Sequence, residues 1–584
     1  MKKLTGISAS PGVAIGIVCV YQASDSSKIE HYNISQKQLK NELYRLDEAL
    51  LKAEKEIKQL KEASGNLFGD QGHDIISAHL SILKDKGLQN RIKEDISVNL
   101  VNAEHAIQDV FESYIKKLTG ISSDKVHFEE ITHDIADVKD RLLDSFFKKS
   151  SGKFECPVGE KSPVIIAANR LTPSMVIKIP KDNVLAFVTK EGGLTAHASI
   201  LARTLGIPVV FGIDIEKELN GRCHCIVDGS LGKVIVNPAE KILKHYRQMQ
   251  EKYHKRKKLC KLNLSQPTRT AQGKRISLKV NISTLGELEL LKTAASVKES
   301  DEHTVHYDGV GLLRTEFIFM NKNEPPDEEL QLEIYKKISR AANERPVTVR
   351  IMDLSGDKVP KFINIPPGIN TDMNLRGASA VLTYRDIYLT QARALLRAAS
   401  ESNIKILFPM VSDMDDYYIF KNLIDEAVAQ LKKEGKNYAE PELGIMFETP
   451  SASLLADQLF PETDFANIGT NDLLQYLVAS SREHKISSHT YNLLHPSVVK
   501  MLKMITQAAD KNGKAVCLCG EIGSFELYYP VLLDAGVNSF SVPAAKYEDI
   551  KCEIQNLQER DYKGKYKEYI NKKFRREQIK FFEG

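Results

Sequence analysis

The sequence lacks several features that would place it in a common class of protein. None of its apolar runs reaches the roughly 20 residues that a membrane-spanning helix needs. The first segment, MKKLTGISASPGVAIG, has neither the continuous apolar core nor the cleavage site of a secretory signal. Cysteine is scarce, at eight residues in 584, and none of the eight forms a C-x-x-C pair of the zinc or redox type. We therefore expect a cytoplasmic protein with reduced thiols and no membrane segment.

An excess of charge of one sign is also missing. The formal net charge is only +4, so charge gives no argument for a nucleic-acid partner. One basic run, KYHKRKK, lies within a predicted helix, but no nucleic-acid-binding motif accompanies it. We interpret the run as the solvated face of that helix and predict no nucleic-acid partner.

The amino-terminal half predicts one domain inserted into another. At roughly 100–200 residues per domain, a chain of this length has several domains. Strand-like sequence at the start gives way to leucine and isoleucine at intervals of three, four or seven between residues 39 and 60, which is typical of a packed helix. Strand-like runs return after residue 157. These patterns predict an α/β domain of residues 1–30 and 150–238, interrupted by a helical domain of residues 31–149.

The carboxyl-terminal half predicts a (β/α)₈ barrel. Residues 239–265 read as a linker helix, and from residue 276 eight short apolar runs alternate with helical stretches. Eight such units in about 270 residues match the typical size of a TIM barrel, here assigned to residues 266–584. An open, doubly wound sheet is the alternative, but eight consecutive units favour closure. The runs are ISLKVNI, YDGVGLL, VTVRIMDL, IKILFPMV, ELGIMFE, FANIGT, KAVCLC and NSFSVP.

Charged and polar residues follow these runs, at the end of a barrel where chemistry takes place. Glu448 and Asp472 suit Mg²⁺, which takes one or two protein carboxylates and completes its octahedron with other oxygens. Arg314, Arg376 and Arg482 are fixed cations whose forked donors match phosphate and carboxylate oxygens. Any one of them alone could form a surface ion pair. As a set they predict a pocket for a small, multiply anionic substrate. The same positions also carry Asp353, Lys358, Asn471 and Cys519.

A histidine in the α/β domain has a setting that suits phosphoryl transfer. In GGLTAHASILARTLGIPVV, His197 falls in the first turn of a predicted helix, where unpaired N–H groups attract anions. Histidine can also act as a covalent nucleophile. A lone histidine at a helix start is usually structural. A pocket for a multiply anionic substrate on the same chain, however, favours a phosphoryl-carrying role for His197.

These segments together resemble a known family. GISASPGVAIG, GGLTAHASILARTLGIPVV, GVGLLRTEFIFM, VRIMDLSGDK, LFPMV, GIMFETPSA, IGTNDLLQY, HPSV and CGEIG occur in the order found in the Enzyme I family of the bacterial phosphoenolpyruvate-dependent sugar phosphotransferase system. The resemblance covers nearly the whole chain. It implies a phosphohistidine α/β domain that swivels, an inserted helical domain, a linker helix and a TIM barrel.

The resemblance also implies roles, substrates and partners. The phosphoryl group of phosphoenolpyruvate would pass through the histidine to the carrier protein HPr, docked on the helical domain, leaving pyruvate. The barrel would form a homodimer. His197 would be the phosphorylated nucleophile and Cys519 the proton donor; Arg314 and Arg376 would bind the phosphate; Asn471, Asp472 and Arg482 would complete the substrate site; Glu448 and Asp472 would hold Mg²⁺.

Some positions depart from the family pattern. Leu194 replaces a cation after the glycine pair, Ser379 stands where a second arginine is expected, and Ser355 replaces a glycine. Loss of two nearby cations could weaken anion binding, since hydrogen bonds to charged groups are each worth roughly 1.5–3 kcal/mol. A weakly active regulatory scaffold is therefore one alternative. Another phosphoenolpyruvate-utilising enzyme, such as a dikinase or synthase, is a second, but the chain has no Walker-type nucleotide motif.

Overall fold

A computed structural model describes most of the chain, in two compact units, Met1–Tyr253 and His254–Gly584, each with hydrophobic cores of its own. The described residues are 1–10, 12–21, 31–121, 125–146, 163–178, 183–192, 202, 205–219, 223–229, 231–261, 264–283, 286–288, 305–320, 322–354, 359–365, 375–480, 493–574, 577–578 and 581–582.

The first unit is built on one mixed sheet. Its strands are β1 Lys2–Thr5, β2 Ile7–Ser10, β3 Val13–Tyr21, β4 Val164–Arg170, β5 Val184–Glu191, β6 Val209–Phe211, β7 His224–Asp228 and β8 Lys233–Val236. They follow the order β1-β8-β7-β3-β4-β5-β6-β2. The run from β3 to β6 is parallel, and the flanking pairs are antiparallel.

A block of helices interrupts this sheet in sequence but not in space. Residues 22–163 separate β3 from β4, yet the two strands pair in parallel with Val18 opposite Ile165. Because side chains alternate along a strand, Ile165 packs in the core on one face of the sheet. Ile166 packs on the other face, in a core shared with the helices. The helices of the block are α1 Leu39–Leu83, α2 Lys86–Asn99, α3 Ala103–Ile121 and α4 Lys125–Asp144.

The remaining helices of this unit are α5 Pro173–Lys178, α6 Ile215–Glu218 and the start of α7 Glu240–Lys261, within which the boundary between the units falls. The predicted fold, an α/β domain with an inserted helical block followed by a long helix, is confirmed. No helix in the described part of the chain combines the length and the hydrophobicity that a membrane span requires.

The second unit is a closed barrel of eight parallel strands. They are β9 Ser277–Ile282, β10 Val310–Leu313, β11 Val347–Arg350, β12 Ile404–Phe408, β13 Leu443–Phe447, β14 Phe465–Ile468, β15 Ala515–Leu518 and β16 Ser539–Pro543. Each pairs with the next along the chain, and β16 pairs with β9. All eight predicted runs are therefore barrel strands, and the alternative of an open sheet is excluded.

Helices alternate with these strands. They are α8 Glu316–Met320, α9 Glu328–Ala341, α10 Gly377–Thr383, α11 Arg385–Ala399, α12 Met414–Glu434, α13 Pro450–Leu454, α14 Ala456–Leu459, α15 Thr470–Leu477, α16 Pro496–Asn512, α17 Tyr529–Asp534, α18 Tyr547–Asn556, α19 Glu559–Tyr562 and α20 Lys565–Ile570. Beyond α20, Phe581 and Phe582 pack against the barrel core and against Tyr569. These described residues of the carboxyl-terminal tail therefore pack on the barrel.

The cysteines depart from one expectation. Cys223, Cys225, Cys517, Cys519 and Cys552 are free thiols. Cys19, which is buried in β3, is disulfide-bonded, so the prediction of reduced thiols is wrong at this position. Pairing depends on which residues the fold places beside a cysteine, and sequence spacing does not reveal this.

Candidate active site

The carboxyl-terminal ends of the barrel strands carry most of the predicted site residues. Arg314 directly follows β10, Glu448 follows β13 and Cys519 follows β15. Asn471 and Asp472 lie in the first turn of α15, which begins two residues after β14. Because the strands are parallel and close a barrel, these ends form one rim.

Arg376 links two carboxylates at this rim. Its Nε donates to Asp353 Oδ1 at 3.1 Å and its Nη2 donates to Asp353 Oδ2, so the pair is bidentate. Its Nη1 donates to Asp472 Oδ1 at 2.8 Å and to the Tyr476 hydroxyl at 3.1 Å. Arg376 and Asp353 are both buried. The guanidinium is therefore held in one orientation before any substrate arrives.

Arg350 is a buried cation of the site that the sequence analysis did not single out. It is the last residue of β11, and its Nη2 donates to Glu316 Oε1 at 2.7 Å. Its Nη1 lies 3.5 Å from Asp353 Oδ2 and 3.9 Å from Glu448 Oε2. The signal was present in VTVRIMDL, where an arginine ends an otherwise apolar run. A barrel fold predicts functional residues after each strand, and Arg350 lies inside its strand.

Glu448 is almost completely buried beneath the rim, at 1% exposure. Its Oε1 accepts a hydrogen bond from Met410 N at 2.8 Å. Gly469 leaves it room, because a Cβ there would lie only 2.7 Å from Glu448 Oε2. Burial, and next the negative charge of Asp472, raise the pKa of Glu448 to about 8. This carboxyl is therefore short of compensating positive charge.

Asp472 has the opposite balance. Burial acts to raise its pKa, but the charge of Arg376 and its hydrogen bond outweigh burial and lower it. No group of three or more histidine, cysteine, aspartate or glutamate residues in the described part of the chain could hold a metal ion. Two carboxylates are nevertheless enough for Mg²⁺, whose other ligands are water and substrate oxygens. Such a cation suits the hard carboxylate oxygens of Glu448 and Asp472. It would also supply the positive charge that Glu448 lacks.

Arg314 differs from the other two arginines. It is partly buried, and within the part of the chain that the structure describes its guanidinium has no hydrogen bond or ion pair. Its charge is near enough to Cys519 to lower the pKa of that thiol in part. Arg314 therefore offers free donors to an anion, whereas Arg350 and Arg376 are already bound to carboxylates.

Asn471 and Cys519 connect the end of β14 with the end of β15. Asn471 Oδ1 accepts from Glu521 N at 2.9 Å, and its Nδ2 donates to Glu521 Oε1 at 3.2 Å. Cys519 is 3% exposed, and its Sγ donates to Ile468 O at 3.4 Å. Burial, and next the neighbouring Cys517, raise the pKa of the Cys519 thiol. The sulfur therefore carries its proton at neutral pH.

Several predicted positions fall elsewhere. His197 and Arg482, together with Leu194, Ser355 and Lys358, lie outside the described residues. Ser379 lies on an exposed face of α10, three residues after Arg376, and its carbonyl accepts from Thr383 Oγ1 at 2.7 Å. The structure thus brings together the predicted residues Arg314, Asp353, Arg376, Glu448, Asn471, Asp472 and Cys519, and adds Arg350 and Glu316.

Three family models match successive parts of the chain. Their descriptions are PEP-utilising enzyme, N-terminal, over residues 5–127; mobile domain, over residues 160–232; and PEP-binding domain, over residues 257–559. The closed barrel, its rim of arginines and buried carboxylates, and these matches define the class as that of the enzymes that use phosphoenolpyruvate (PEP).

Curated relatives narrow this class. The phosphoenolpyruvate-protein phosphotransferase of Priestia megaterium is 33% identical over 96% of this chain and 95% of its own, and that of Bacillus subtilis (strain 168) is 32% identical over the same shares. A solution NMR structure of Enzyme I has 31% identity and a TM-score of 0.36, covering 43% of this chain and 99% of that one. The chain belongs to the phosphoenolpyruvate-protein phosphotransferase family, and it is a phosphotransferase enzyme.

Proposed function

We propose that this enzyme transfers the phosphoryl group of phosphoenolpyruvate to His197 and from there to a histidine of the carrier protein HPr, releasing pyruvate. This would be the first step of a sugar phosphotransferase system in the cytoplasm. The observation that carries the proposal is the convergence of cations with the buried Glu448 and the partly buried Asp472 at one barrel rim. Family membership supports it, since the curated relatives are phosphotransferases that act on a protein.

Substrate binding follows from the charges of the rim. Arg314, with its free guanidinium, and Arg376, preset by Asp353, would hold the phosphate, and Asn471, Asp472 and Arg482 would contact the rest of the substrate. Loose phosphoryl-transfer transition states spread negative charge over their oxygens, so preorganised cations provide most of the stabilisation. Glu448 and Asp472 would hold Mg²⁺, which, when bound, neutralises charge on the phosphoryl oxygens.

The chemistry then divides between two residues. The P–O bond of phosphoenolpyruvate breaks as a P–N bond to the His197 imidazole forms, and the electron pair of the P–O bond leaves with enolpyruvate. The Cys519 thiol donates its proton to the methylene carbon, giving pyruvate, and the thiolate recovers a proton from solvent. A thiol that burial keeps protonated suits this step.

We assign the other parts of the chain as the family resemblance implies. Residues 31–149 would dock HPr, and residues 1–30 and 150–238 would carry the phosphohistidine. Residues 239–265 would link that domain to the barrel, residues 266–584, which would also form the homodimer. Transfer to a carrier requires His197 to move between the barrel and HPr.

The test is phosphorylation with labelled substrate. With Mg²⁺ and radiolabelled phosphoenolpyruvate, the chain should acquire an acid-labile, alkali-stable label, as a phosphohistidine does. His197→Ala should abolish the label. His224→Ala, which replaces an exposed histidine in β7, should retain it. Absence of label under conditions in which pyruvate binds would contradict the proposal and favour the regulatory scaffold.

The acceptor is tested by a chase. Purified HPr from the same organism, added to the labelled enzyme, should remove most of the label and become labelled in return. Label that stays on the enzyme would contradict HPr as the acceptor while leaving the first transfer intact.

A further inference from the structure

Asn281, in β9, hydrogen-bonds to the neighbouring strand β16 and to the residue that follows β15, the strand beyond β16. Its Nδ2 donates to the carbonyl oxygen of Cys519 at 3.0 Å and to that of Ser541 at 3.0 Å. Cys519 directly follows β15, and Ser541 lies in β16. One side-chain amide therefore ties together the ends of three strands.

Backbone pairing between β15 and β16 is sparse, so a side-chain hydrogen bond is needed to connect them. β15 and β16 share one register pair, Leu518 opposite Phe540, whereas β16 and β9 share five. On its other side Cys519 is well held, because its N–H donates to Ile468 O at 3.1 Å and its Sγ donates to the same oxygen. Strand pairing thus fixes Cys519 toward β14. Toward β16, the backbone pairing of β15 has already ended, and the Asn281 side chain provides the connection instead.

We propose that Asn281 is a positioning residue for proton transfer at Cys519. Its amide fixes the carbonyl of Cys519, which sets the backbone and thereby the direction of the S–H bond at the rim. The inference rests on the proposed function, since it requires Cys519 to protonate enolpyruvate. Geometric control of this kind matters, because a displacement of about 1 Å can cost roughly 100-fold in rate.

The barrel offers a matched residue for comparison. Asn467, in β14, is a buried asparagine whose Nδ2 likewise donates to a backbone carbonyl, that of Gly311, at 2.8 Å, whereas Asn281 is partly buried. Among the described residues, the Asn467 side chain makes no hydrogen bond to Cys519, and its carbonyl partner belongs to β10. The same substitution at 281 and 467 therefore removes side-chain hydrogen bonds to backbone carbonyls in both variants, but only the substitution at 281 removes a bond to Cys519 itself.

The assay follows the proton step without phosphoryl transfer. In D₂O with Mg²⁺ and pyruvate, the minor thiolate form of Cys519, in equilibrium with the protonated thiol, removes a methyl proton to give enolpyruvate. The S–H then exchanges with solvent, and the S–D returns a deuteron to the carbon. Proton NMR of the pyruvate methyl group measures the rate. The full-length wild type would be compared with Asn281→Leu, Asn467→Leu and Cys519→Ala.

We expect Asn281→Leu to lower the maximal exchange rate at least tenfold, with the KM for pyruvate within about twofold of wild type, since positioning in the proton-transfer step is lost. Asn467→Leu should keep the rate within about threefold, although both leucine variants lose a similar amount of thermal stability. Cys519→Ala should abolish exchange.

Two outcomes separate the inference from the proposed function. Equal rates for Asn281→Leu and Asn467→Leu would overturn the positioning role alone. Undiminished exchange in Cys519→Ala would remove the proton donor from the proposed function and the inference with it. Should a leucine variant not fold, as judged by circular dichroism, the pair Asn281→Ser and Asn467→Ser is compared in the same way, because a serine hydroxyl is too short to bridge the two carbonyls.

Discussion

At the scale of the residue, carboxylates determine the orientation of two arginines at the rim. Arg376 is fixed by Asp353 and Asp472, and Arg350 is fixed by Glu316, while the Arg314 guanidinium has no hydrogen bond or ion pair with any described residue. Buried ion pairs of this type are costly to desolvate. Their value here lies in presenting arginines in place before the substrate binds, which avoids reorganisation during the reaction.

Asp353→Asn tests this arrangement. The substitution removes the charge that orients Arg376, so we expect the KM for phosphoenolpyruvate to rise about 10- to 100-fold, because charge-assisted hydrogen bonds are each worth roughly 1.5–3 kcal/mol. Steady-state pyruvate formation measures it. Asp464→Asn is the control, since the described hydrogen bond of the Asp464 side chain is from Leu443 N, at the other end of the barrel strands. A KM unchanged in Asp353→Asn would show that Arg376 needs no such partner.

At the scale of the element, the junction between β14 and α15 is packed against the end of β13. Gly469 leaves space for Glu448. Gly520 leaves space for Thr470, because a Cβ added at Gly520 would lie 1.8 Å from Thr470 Oγ1. Small residues at strand ends thus let neighbouring β/α units approach. This close approach would let the carboxylates of two units face one cation, as the proposed Mg²⁺ site requires.

Gly469→Ala should disturb the cation site without changing any of its ligands. The added methyl would push on Glu448 Oε2, and such overpacking costs roughly 1–3 kcal/mol, so we expect the Mg²⁺ concentration for half-maximal activity to rise about tenfold. Titration of the pyruvate-forming activity with Mg²⁺ measures it. In Gly523→Ala the added Cβ would meet the flexible Leu518 side chain at 3.2 Å, so the Mg²⁺ requirement should change little. Equal effects of the two substitutions would argue against a site on Glu448.

The sequence predicts the elements better than it predicts their details. Eight apolar runs and the residues after them were enough to place Arg314, Glu448 and Asp472 at one rim, because parallel strands end together. Arg350 and Asn281 escaped this reasoning since both lie within strands, where the side chain's direction depends on the register of the closed barrel. The disulfide at Cys19 required knowledge of which residues pack beside it.

At the scale of the whole molecule, one buried amine helps to close the amino-terminal end of the barrel. Lys551, in α18, is fully buried and donates to Leu264 O at 2.6 Å and to His306 O at 2.8 Å. Burial lowers its pKa from the ordinary 10.5 to about 8, with Asp308 opposing the change. The folded chain therefore gives up this proton at a lower pH than the unfolded chain does.

Stability should depend on pH accordingly. Between about pH 8 and 10.5 the unfolded state holds the Lys551 proton and the folded state does not, so wild type should gain up to about 3 kcal/mol relative to Lys551→Met as pH rises through this window. Below pH 8 the difference between the two proteins should be constant. Urea unfolding followed by circular dichroism at pH 7.5 and pH 10 measures it. A difference that stays constant up to pH 10.5 would contradict a lowered pKa.

The parallel pairing of β3 with β4 has a consequence for how the helical block could be removed. Two neighbouring parallel strands begin at the same end of the sheet. After β3 finishes at Tyr21, the chain must therefore return along the full length of the strands before β4 begins at Val164. Helices α1 to α4 therefore serve as a greatly enlarged crossover, and their core covers the sheet face that a single crossover helix would cover. A tight turn could not replace them. A minimal version of this domain would need a substitute of at least about a dozen residues, with an apolar stripe to protect the exposed face.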